Sequence, residues 1–490
     1  MFRSALRVFA VPLAMLAVGP IASAEASQQP LLKVGPNGQI TAGQDLLPMD
    51  MDFGTGADRP VRNTPQGVRA TAATATSAVA STILNMQKVG QITALQASDA
   101  ITSWTAAIRT RRNLHGNAGL ELGNIISIVV GIHNRKALTP SRLPELMLIV
   151  KRNTEFFSKG KMPAYHQRVQ FSGSDIVWQY YPGQGLQLQV LATFGVANGL
   201  WRANLPGHLK ALMDEMLSLR VKRAGGTAWE YMFNFDGGSP PWTSAMSQAT
   251  GIQALSRAAV KFSDPNYLAA ANSSLAIFRK APPSGVRVAT PLGPWYLMYS
   301  FDPSLKILNG FLQTLVGLNE MANKVSSGDA RELFDAAEPV ARAAVPHFMS
   351  SGWSYYSPGV WSSESYHQLT QGFLAELCLR TTRPTYCTAA TKFTTFLDQP
   401  PRLAVKTRSL KRGSAARVKF WVSKPSTVAI RVLASGKTIR TATISCDPGN
   451  HSLGNIRVPR GAKTITVRAR GTDASGRTRT VVAALSGTIR

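Results

Sequence analysis

The sequence is poor in acidic residues, in cysteine and in long hydrophobic runs. It has 26 Asp and Glu against 54 Lys and Arg in 490 residues, a formal net charge of +28 at pH 7. Its three cysteines and seven histidines show no spacing typical of a metal site. After residue 24, no apolar run approaches the roughly 18 residues that a membrane span needs. The sequence therefore predicts neither a metal centre nor a membrane span.

The N-terminus has the three parts of a secretory signal peptide. Arg3 and Arg7 precede an apolar stretch over residues 8–21, and the small residues 22–24 (ASA) follow it. This order predicts cleavage after Ala24, with Ala26 as the second choice, and an exported, secreted protein. Residues 25–70 are rich in Gly, Pro, Asp and Gln and lack periodicity, so we expect a loosely ordered leader there.

The three cysteines leave two interpretations open. In an oxidising compartment Cys378 and Cys387 could pair across a short connection, which would leave Cys446 unpaired. The alternative is three reduced and buried thiols.

The positive charge is concentrated at the C-terminal end. Residues 401–490 contain 19 Lys and Arg but only 2 Asp and Glu. In an exported protein such a charge favours an anionic polysaccharide, a cell-wall polymer or a membrane surface over nucleic acid. The alternative is an arginine- and alanine-rich composition shared by all proteins of a GC-rich organism.

From about Thr71 to Pro400 the pattern is helical. Apolar residues recur three and four positions apart, as at Ile83, Met86 and Val89. Residues 178–186 (WQYYPGQGL) interrupt this pattern and are typical of a loop. The helices are predicted over residues 122–138, 144–157, 194–222, 242–260, 266–279, 304–325, 330–348, 366–379 and 385–397.

The chain changes character at Pro400 and Pro401. Short stretches rich in Val, Thr and Ile then alternate with turns such as Asp-Pro-Gly, a pattern typical of a β-sandwich. The sequence thus predicts a mainly α fold, an α/α toroid or incomplete α/α barrel over residues 71–399. A small, basic, immunoglobulin-like β-sandwich over residues 400–490 would follow it.

Three segments within the helical part contain unusual aromatic and polar residues. Residues 242–248 read WTSAMSQ, residues 295–304 read WYLMYSFDPS and continue into an Asn-Gly-Phe helix, and residues 355–367 begin with Tyr-Tyr and end with Tyr-His. Together and in this order they resemble the C-terminal helical domain of D-glucuronyl C5-epimerases, over roughly residues 225–395. Residues 180–183 and 193–195 extend the similarity upstream.

This resemblance implies a chemistry and a set of residues. C5 of glucuronate bears a weakly acidic proton next to a carboxylate, so an epimerase needs proton-transfer groups on both faces of the sugar and donors that stabilise the carboxylate. No cofactor is needed, because the exchange is redox-neutral. The predicted catalytic residues are Tyr299, Tyr366, Tyr355 and His367. The predicted substrate-binding residues are Trp295, Tyr296, Tyr356, Asn309, Trp242, Gln248 and Tyr181.

Several of these residues also have a structural interpretation. Tyr299 and Trp295 could cap the following helix, His367 could be a buried histidine, and Asn309 could order its loop. Trp242 could belong to the core. Arg257, near the end of its predicted helix, is expected to be an exposed or structural charge.

The sequence departs from the family at two places. Met298 stands where the family has the Glu before its first tyrosine, and the segment beginning at Tyr355 lacks the family's Arg. Methionine cannot transfer a proton, so an epimerase would use Tyr299, His367 or Glu364 instead.

Three functions follow from this pattern. The first is an exported glucuronyl C5-epimerase-like protein acting on a uronate-containing polysaccharide, with the basic C-terminal region holding that polymer or a cell-wall polymer. The second is a polysaccharide lyase, which begins with the same C5 deprotonation. The third is a non-catalytic glycan-binding protein. The apolar helical faces are also compatible with a homodimer.

Overall fold

The computed structural model describes residues 30–43, 73–159 and 161–488. The predicted signal peptide lies outside these residues. Within them the chain forms twelve α-helices: α1 Ala73–Lys88, α2 Ala94–Asn113, α3 Gly116–Asn134, α4 Leu143–Phe157, α5 Val190–Arg202, α6 Pro206–Ser218, α7 Ala245–Phe262, α8 Pro265–Ser274, α9 Leu308–Lys324, α10 Gly328–Ala344, α11 Glu364–Thr381 and α12 Pro384–Asp398. Short 3-10 turns, Leu275–Arg279 and Val345–Phe348, extend α8 and α10.

Two long helices form the centre of the helical part. α7 and α9 are buried along nearly their whole length and pack against each other. Gly317 of α9 allows the close approach, because a Cβ there would lie 2.4 Å from the carbonyl oxygen of Ala249 in α7. α5 packs on α7, and α11 packs on α9 and α12.

A buried ion pair joins the two central helices. Arg257 of α7 donates from Nε to Glu320 Oε1 of α9 at 2.6 Å, and both side chains are almost fully buried. Gln253 and Arg380 also donate to the same carboxylate. Arg257 is therefore a structural charge and not an exposed one, and both roles were predicted as possible from the sequence.

Strands also occur between the helices. They are β1 Leu31–Val34, β2 Ile40–Gly43, β3 Arg168–Phe171, β4 Trp178–Tyr181, β5 Gly185–Leu188, β6 Val221–Arg223, β7 Gly226–Ala228, β8 Arg287–Thr290, β9 Gly293–Tyr296, β10 Tyr355–Ser357 and β11 Val360–Trp361. The first five form one sheet in the order β2-β1-β3-β4-β5, and the others form two-stranded hairpins.

The C-terminal part consists of two sheets around one core. Its strands are β12 Leu403–Val405, β13 Ser409–Lys411, β14 Ala415–Val422, β15 Ser426–Ala434, β16 Lys437–Cys446, β17 Gly449–Arg457, β18 Ile465–Thr472 and β19 Thr478–Thr488. One sheet has the order β12-β14-β17 and the other β13-β19-β18-β15-β16. Buried apolar side chains from both sheets, such as Phe420 and Val467, belong to one cluster.

A buried lysine connects these sheets to the helices. Lys424 forms an ion pair with Asp473 at 2.7 Å and donates to the carbonyl oxygens of Phe396 and Gln399 at the end of α12. A charge this deeply buried is stable only because it is paired and hydrogen-bonded.

The predicted fold class is wrong. Strands of two to four residues run throughout the region expected to be a mainly α toroid, and three of them, β3, β4 and β5, join β1 and β2 in a five-stranded sheet. The predicted loosely ordered leader also does not hold where it is described, because β1 pairs with both β2 and β3. The loop expected at residues 178–186 is the β4–β5 hairpin.

Cys378 and Cys387 form a disulfide bond between α11 and α12. This selects the first of the two interpretations left open by the sequence, and Cys446 is free and buried. In the part of the chain that the structure describes, no helix combines the length and the hydrophobicity of a membrane span.

Candidate active site

A cavity of about 140 Å³ lies where the β4–β5 hairpin, residues 231–247, the segment before α9 and the β10–α11 region meet. Six predicted site residues line it: Tyr181, Trp242, Tyr299, Asn309, Tyr356 and Tyr366. Met298 lines it as well. Segments far apart in the sequence thus bring most of the predicted tyrosines to one cavity.

The position of Tyr299 is set by backbone hydrogen bonds to the start of α7. The N–H of Ala245 donates to Leu297 O at 2.9 Å, and the N–H of Ser300 donates to Thr243 O at 2.9 Å. The residue at position 299 is therefore held between two fixed points. Tyr366 is placed in a similar way, because Ser363 caps α11 by accepting the Tyr366 N–H at 3.2 Å.

Three tyrosines, Tyr299, Tyr356 and Tyr366, line this side of the cavity. Tyr299 is half-buried. Burial and the hydrogen bond with Tyr356 raise the pKa of Tyr299 well above its ordinary value. The rings of Tyr356 and Tyr366 lie 4.8 Å apart. A neutral phenol is a proton donor, so this wall offers acids.

A second group of hydrogen-bonded side chains extends from the β4–β5 hairpin. Gln189 Nε2 donates to the Tyr181 hydroxyl at 2.8 Å, and the Tyr231 hydroxyl donates to Gln189 Oε1 at 3.1 Å. Tyr231 also contacts Ser247 Oγ at 2.6 Å. Burial raises the pKa of Tyr231 to about 12 and that of Tyr181 further.

The hairpin that carries Tyr181 is anchored by a buried carboxylate. Glu121 Oε1 accepts hydrogen bonds from the Tyr180 hydroxyl at 2.7 Å and from Gly183 N at 2.8 Å, and Oε2 accepts from Gly185 N at 3.1 Å. Gly185 has a φ of +68°, and a Cβ there would lie 2.5 Å from Asn153 Oδ1. The turn therefore requires glycine at this position.

Two polar side chains that line the cavity have no hydrogen-bond partner among the described residues. They are Asn309, whose Oδ1 and Nδ2 are both unpaired, and His166, whose two ring nitrogens are both unpaired. Asn309 is 1% exposed and His166 is 6% exposed. Buried polar groups are nearly always paired, so two unpaired groups at one cavity indicate a place for a polar ligand.

The cavity also contains charges of both signs. Arg168 and Asp236 line it, and both are half-buried. Arg168 is on β3 beside the hairpin, so a guanidinium is present although the Arg expected after Tyr355 is missing. Met298 contributes a thioether and no charge, packed against Gly310, where an added Cβ would lie 3.2 Å from its Sδ.

Three predicted residues do not line the cavity because they belong to the core. The Trp295 ring stacks on Phe311 with centroids 4.2 Å apart. Tyr296 is fully buried and donates to Leu333 O at 3.1 Å. Gln248 Oε1 accepts a hydrogen bond from the Trp229 N–H, and Gln248 Nε2 donates to the Trp229 carbonyl oxygen.

His367 is a buried structural histidine. Its Nδ1 contacts Ser354 Oγ at 2.7 Å, its Nε2 contacts Phe393 O at 3.1 Å, and its ring stacks on Trp353. Burial lowers its pKa to about 4. With both nitrogens engaged and no access to the cavity, it cannot exchange a proton with a substrate there.

Tyr355 and Glu364 are also placed away from the cavity lining. The Tyr355 ring stacks on Trp361 with centroids 4.1 Å apart, and its neighbour Tyr356 faces the cavity instead. Glu364 Oε1 accepts a hydrogen bond from Ser475 at 2.9 Å. Of the three bases predicted to replace the missing Glu, only Tyr299 lies at the site.

Sequence reasoning missed His166, Arg168, Tyr231 and Asp236. They lie in no recognised motif. One signal was present: residues 168–171 alternate in burial, which places Arg168 and Gln170 on one side of β3 and Val169 and Phe171 on the other. The strand precedes the aromatic segment that contains Tyr181.

The comparisons with known proteins agree with the motifs. Residues 225–395 match the model of the family described as D-glucuronyl C5-epimerase C-terminus. A D-glucuronyl C5-epimerase of Caenorhabditis elegans is 31% identical over 130 residues, which are 24% of this chain and 21% of that protein. An uncharacterized protein of Methanocaldococcus jannaschii is 26% identical over 135 residues, 26% of this chain and 44% of the other.

The similarity is confined to part of each protein. The chain spans less than half the length of these curated relatives. Among solved structures, a superoxide reductase (neelaredoxin) from Ignicoccus hospitalis shares 8% identity with a TM-score of 0.15 and covers 18% of this chain and 81% of its own. A Cellulomonas fimi endo-β-1,4-mannanase mutant shares 11% identity with a TM-score of 0.14 and covers 71% of this chain and 81% of its own. Scores this low carry no argument.

Residues 225–395 resemble the C-terminal part of D-glucuronyl C5-epimerases, which confirms the resemblance predicted from the motifs. Tyr299, Tyr356 and Tyr366 fall inside the matched segment, whereas Tyr181, His166 and Arg168 lie before it.

Proposed function

We propose that the protein is an exported uronyl C5-epimerase that acts on a uronate-containing polysaccharide. The observation that carries this proposal is the meeting of Tyr299, Tyr356 and Tyr366, all from the family-matched segment, at one cavity. The proposal also explains why that cavity contains unpaired polar groups.

The chemistry needs a cation, proton donors and contacts to sugar hydroxyls. Arg168 supplies a positive charge that would hold the uronate carboxylate and stabilise the charge that develops when the C5 proton leaves. The phenols of Tyr299 and Tyr366 would return a proton to C5. The unpaired amide of Asn309 would bond a ring hydroxyl, since it has both a donor and an acceptor to offer.

The reaction is balanced without a redox partner. The C–H electron pair becomes an enolate delocalised over the carboxylate, and a proton added to the opposite face of C5 regenerates the uronate as the other epimer. The same enolate would expel the 4-linked sugar in a lyase. The two reactions therefore differ after the first step and can be separated by their products.

The test is solvent exchange at C5. The protein is incubated in D2O with an unsulfated polymer of alternating glucuronate and N-acetylglucosamine, and the C5 position is followed by NMR while chain length and ultraviolet absorbance are recorded. An epimerase incorporates deuterium without cleaving the chain. Cleavage to an unsaturated product would identify a lyase, and binding without either change would identify a glycan-binding protein.

The C-terminal sheets would hold an anionic polymer. On the exposed face of the five-stranded sheet, Arg431 of β15 lies directly opposite Arg468 of β18, and Arg470 follows two residues later on the same face. Like charges placed opposite each other destabilise a sheet, and a bound polyanion would relieve that repulsion.

This second role has its own test. The double variant Arg431→Gln, Arg468→Gln should bind an anionic polysaccharide column more weakly than wild type. The matched control is Arg109→Gln, Arg112→Gln, which removes two exposed charges from α2. Equal retention of both variants would contradict a specific role for the sheet. Export is tested by the N-terminus of the protein recovered from the medium, which should begin at Glu25.

A further inference from the structure

His166 has an unusual backbone conformation. Its φ is +59°, in the left-handed region that few residues other than glycine adopt and in which asparagine, aspartate and histidine are the commonest of them. Two hydrogen bonds hold it there: its N–H donates to Tyr180 O at 3.1 Å, and its carbonyl accepts from Gln179 Nε2 at 3.2 Å. Such conformations cost on the order of 1–3 kcal/mol and concentrate at functional sites.

The side chain is held as firmly as the backbone. The imidazole ring stacks on Tyr165 with centroids 3.8 Å apart and meets the edge of Tyr181 at 5.1 Å. Aromatic contacts thus fix the ring at the cavity wall, while both of its nitrogens stay without a partner among the described residues. His367 shows the contrast, because both of its nitrogens are hydrogen-bonded.

The charge state of the ring also suits a proton acceptor. Burial lowers the pKa of His166 to about 4, so it is neutral at physiological pH and has one nitrogen free to accept. The groups around it are the phenols of Tyr165 and Tyr181 and, lining the same cavity, Arg168 and Asp236. A uronate carboxylate bound beside the ring would raise its pKa and make it a stronger base.

We propose that His166 exchanges the C5 proton with the substrate, in the role for which the family has a carboxylate at the position of Met298. This inference rests on the proposed epimerase function. It explains how a chain with methionine at that position can keep two proton-transfer groups, one an imidazole and the other a phenol.

The step is balanced in protons and electrons. The C5–H bond breaks, its electron pair enters the carboxylate as an enolate, and the proton moves to a nitrogen of His166. A tyrosine hydroxyl then gives its proton to the other face of C5 and is left as a phenolate. Transfer of the proton from the imidazolium to the phenolate restores both groups before the next turnover, and the reverse reaction uses the same steps backwards.

The test uses polymers labelled with tritium at C5 of glucuronate or at C5 of iduronate. His166→Asn is the main variant, since asparagine tolerates a positive φ, and His166→Gln is the second. We expect net epimerisation to fall by about 100-fold or more. Release of tritium should fall more for the epimer whose C5–H faces His166 than for the other epimer, because a tyrosine that has lost its hydroxyl proton to solvent can still remove the proton on its own face.

The control is His115→Gln, an exposed histidine at the start of α3, which should leave both rates unchanged. Unchanged tritium release in both His166 variants would overturn the inference. So would equal losses from both epimers in a variant that keeps the wild-type unfolding midpoint, because that pattern indicates a positioning role. A wild type that releases tritium from neither epimer would overturn the proposed function itself.

Discussion

We expect Glu121 to affect both the stability of the protein and its C5 exchange, although Glu121 does not line the cavity. Its carboxylate accepts three hydrogen bonds from the turn that carries Tyr181 to the cavity. In Glu121→Gln the amide oxygen can take the place of Oε1 and keep the bonds from Tyr180 and Gly183. The amide NH2 then faces the N–H of Gly185, and that bond is lost.

The magnitude follows from this geometry. A hydrogen bond to a charged acceptor contributes about 1.5–3 kcal/mol, and a buried donor left unpaired costs about 1–3 kcal/mol. Because both estimates describe the same lost bond, we expect Glu121→Gln to lower the free energy of unfolding by about 1.5–3 kcal/mol. C5 exchange should also slow, since Tyr181 and its hydrogen-bonded neighbours sit on the loosened hairpin.

Urea unfolding followed by tryptophan fluorescence measures the first effect, and the D2O assay measures the second. The control is Glu155→Gln, which removes a partly exposed i,i+3 pair with Arg152 and should cost less than about 1 kcal/mol. If Glu121→Gln unfolds at the same urea concentration as the control, the carboxylate does not hold the turn and the reasoning fails.

Three further predictions concern the core and the site. Glu320→Ala should cost about 3–5 kcal/mol, because it leaves Arg257 buried without its partner. Burial alone would raise the pKa of Glu320, but Arg257 and the other donors lower it below its ordinary value of 4.5. Its stabilisation is therefore complete at neutral pH and is lost as the pH falls through that lowered pKa, so the unfolding midpoint of wild type should fall more steeply in acid than that of Glu320→Ala. Met298→Glu returns a carboxylate to the cavity and should raise the C5 exchange rate about tenfold or more; an unchanged rate would show that this position does not reach C5. For wild type, kcat/KM should fall as the pH drops towards 4, where free His166 becomes protonated, and a flat profile down to pH 4 would contradict a histidine base.

The helices could be predicted from the sequence because their apolar residues follow a helical period over many turns. α7 and α9 are examples, and the predicted ranges 242–260 and 304–325 overlap them closely. The strands between the helices could not be predicted from the sequence. β4 and β5 are four residues long and buried on both faces, so they show no alternation, and the Pro-Gly between them is equally typical of a loop.

The site could be predicted only in part from the sequence, for a similar reason. The motifs contained Tyr299 and Tyr366, and these do line the cavity. They could not decide between Tyr355 and Tyr356, which are neighbours on a strand and point to opposite sides. His166 and Arg168 join the site through the sheet, so their place depends on tertiary structure that no local pattern records.

The central claim is that the tyrosine-lined cavity is the place where the C5 proton is exchanged. The most direct measurement compares Tyr366→Phe, which removes a hydroxyl at the cavity, with Tyr355→Phe, which removes one from the adjacent wall outside it. In D2O with the glucuronate polymer, Tyr366→Phe should lose about 100-fold or more of the exchange rate, and Tyr355→Phe should keep it. Equal exchange rates in the two variants would contradict the claim.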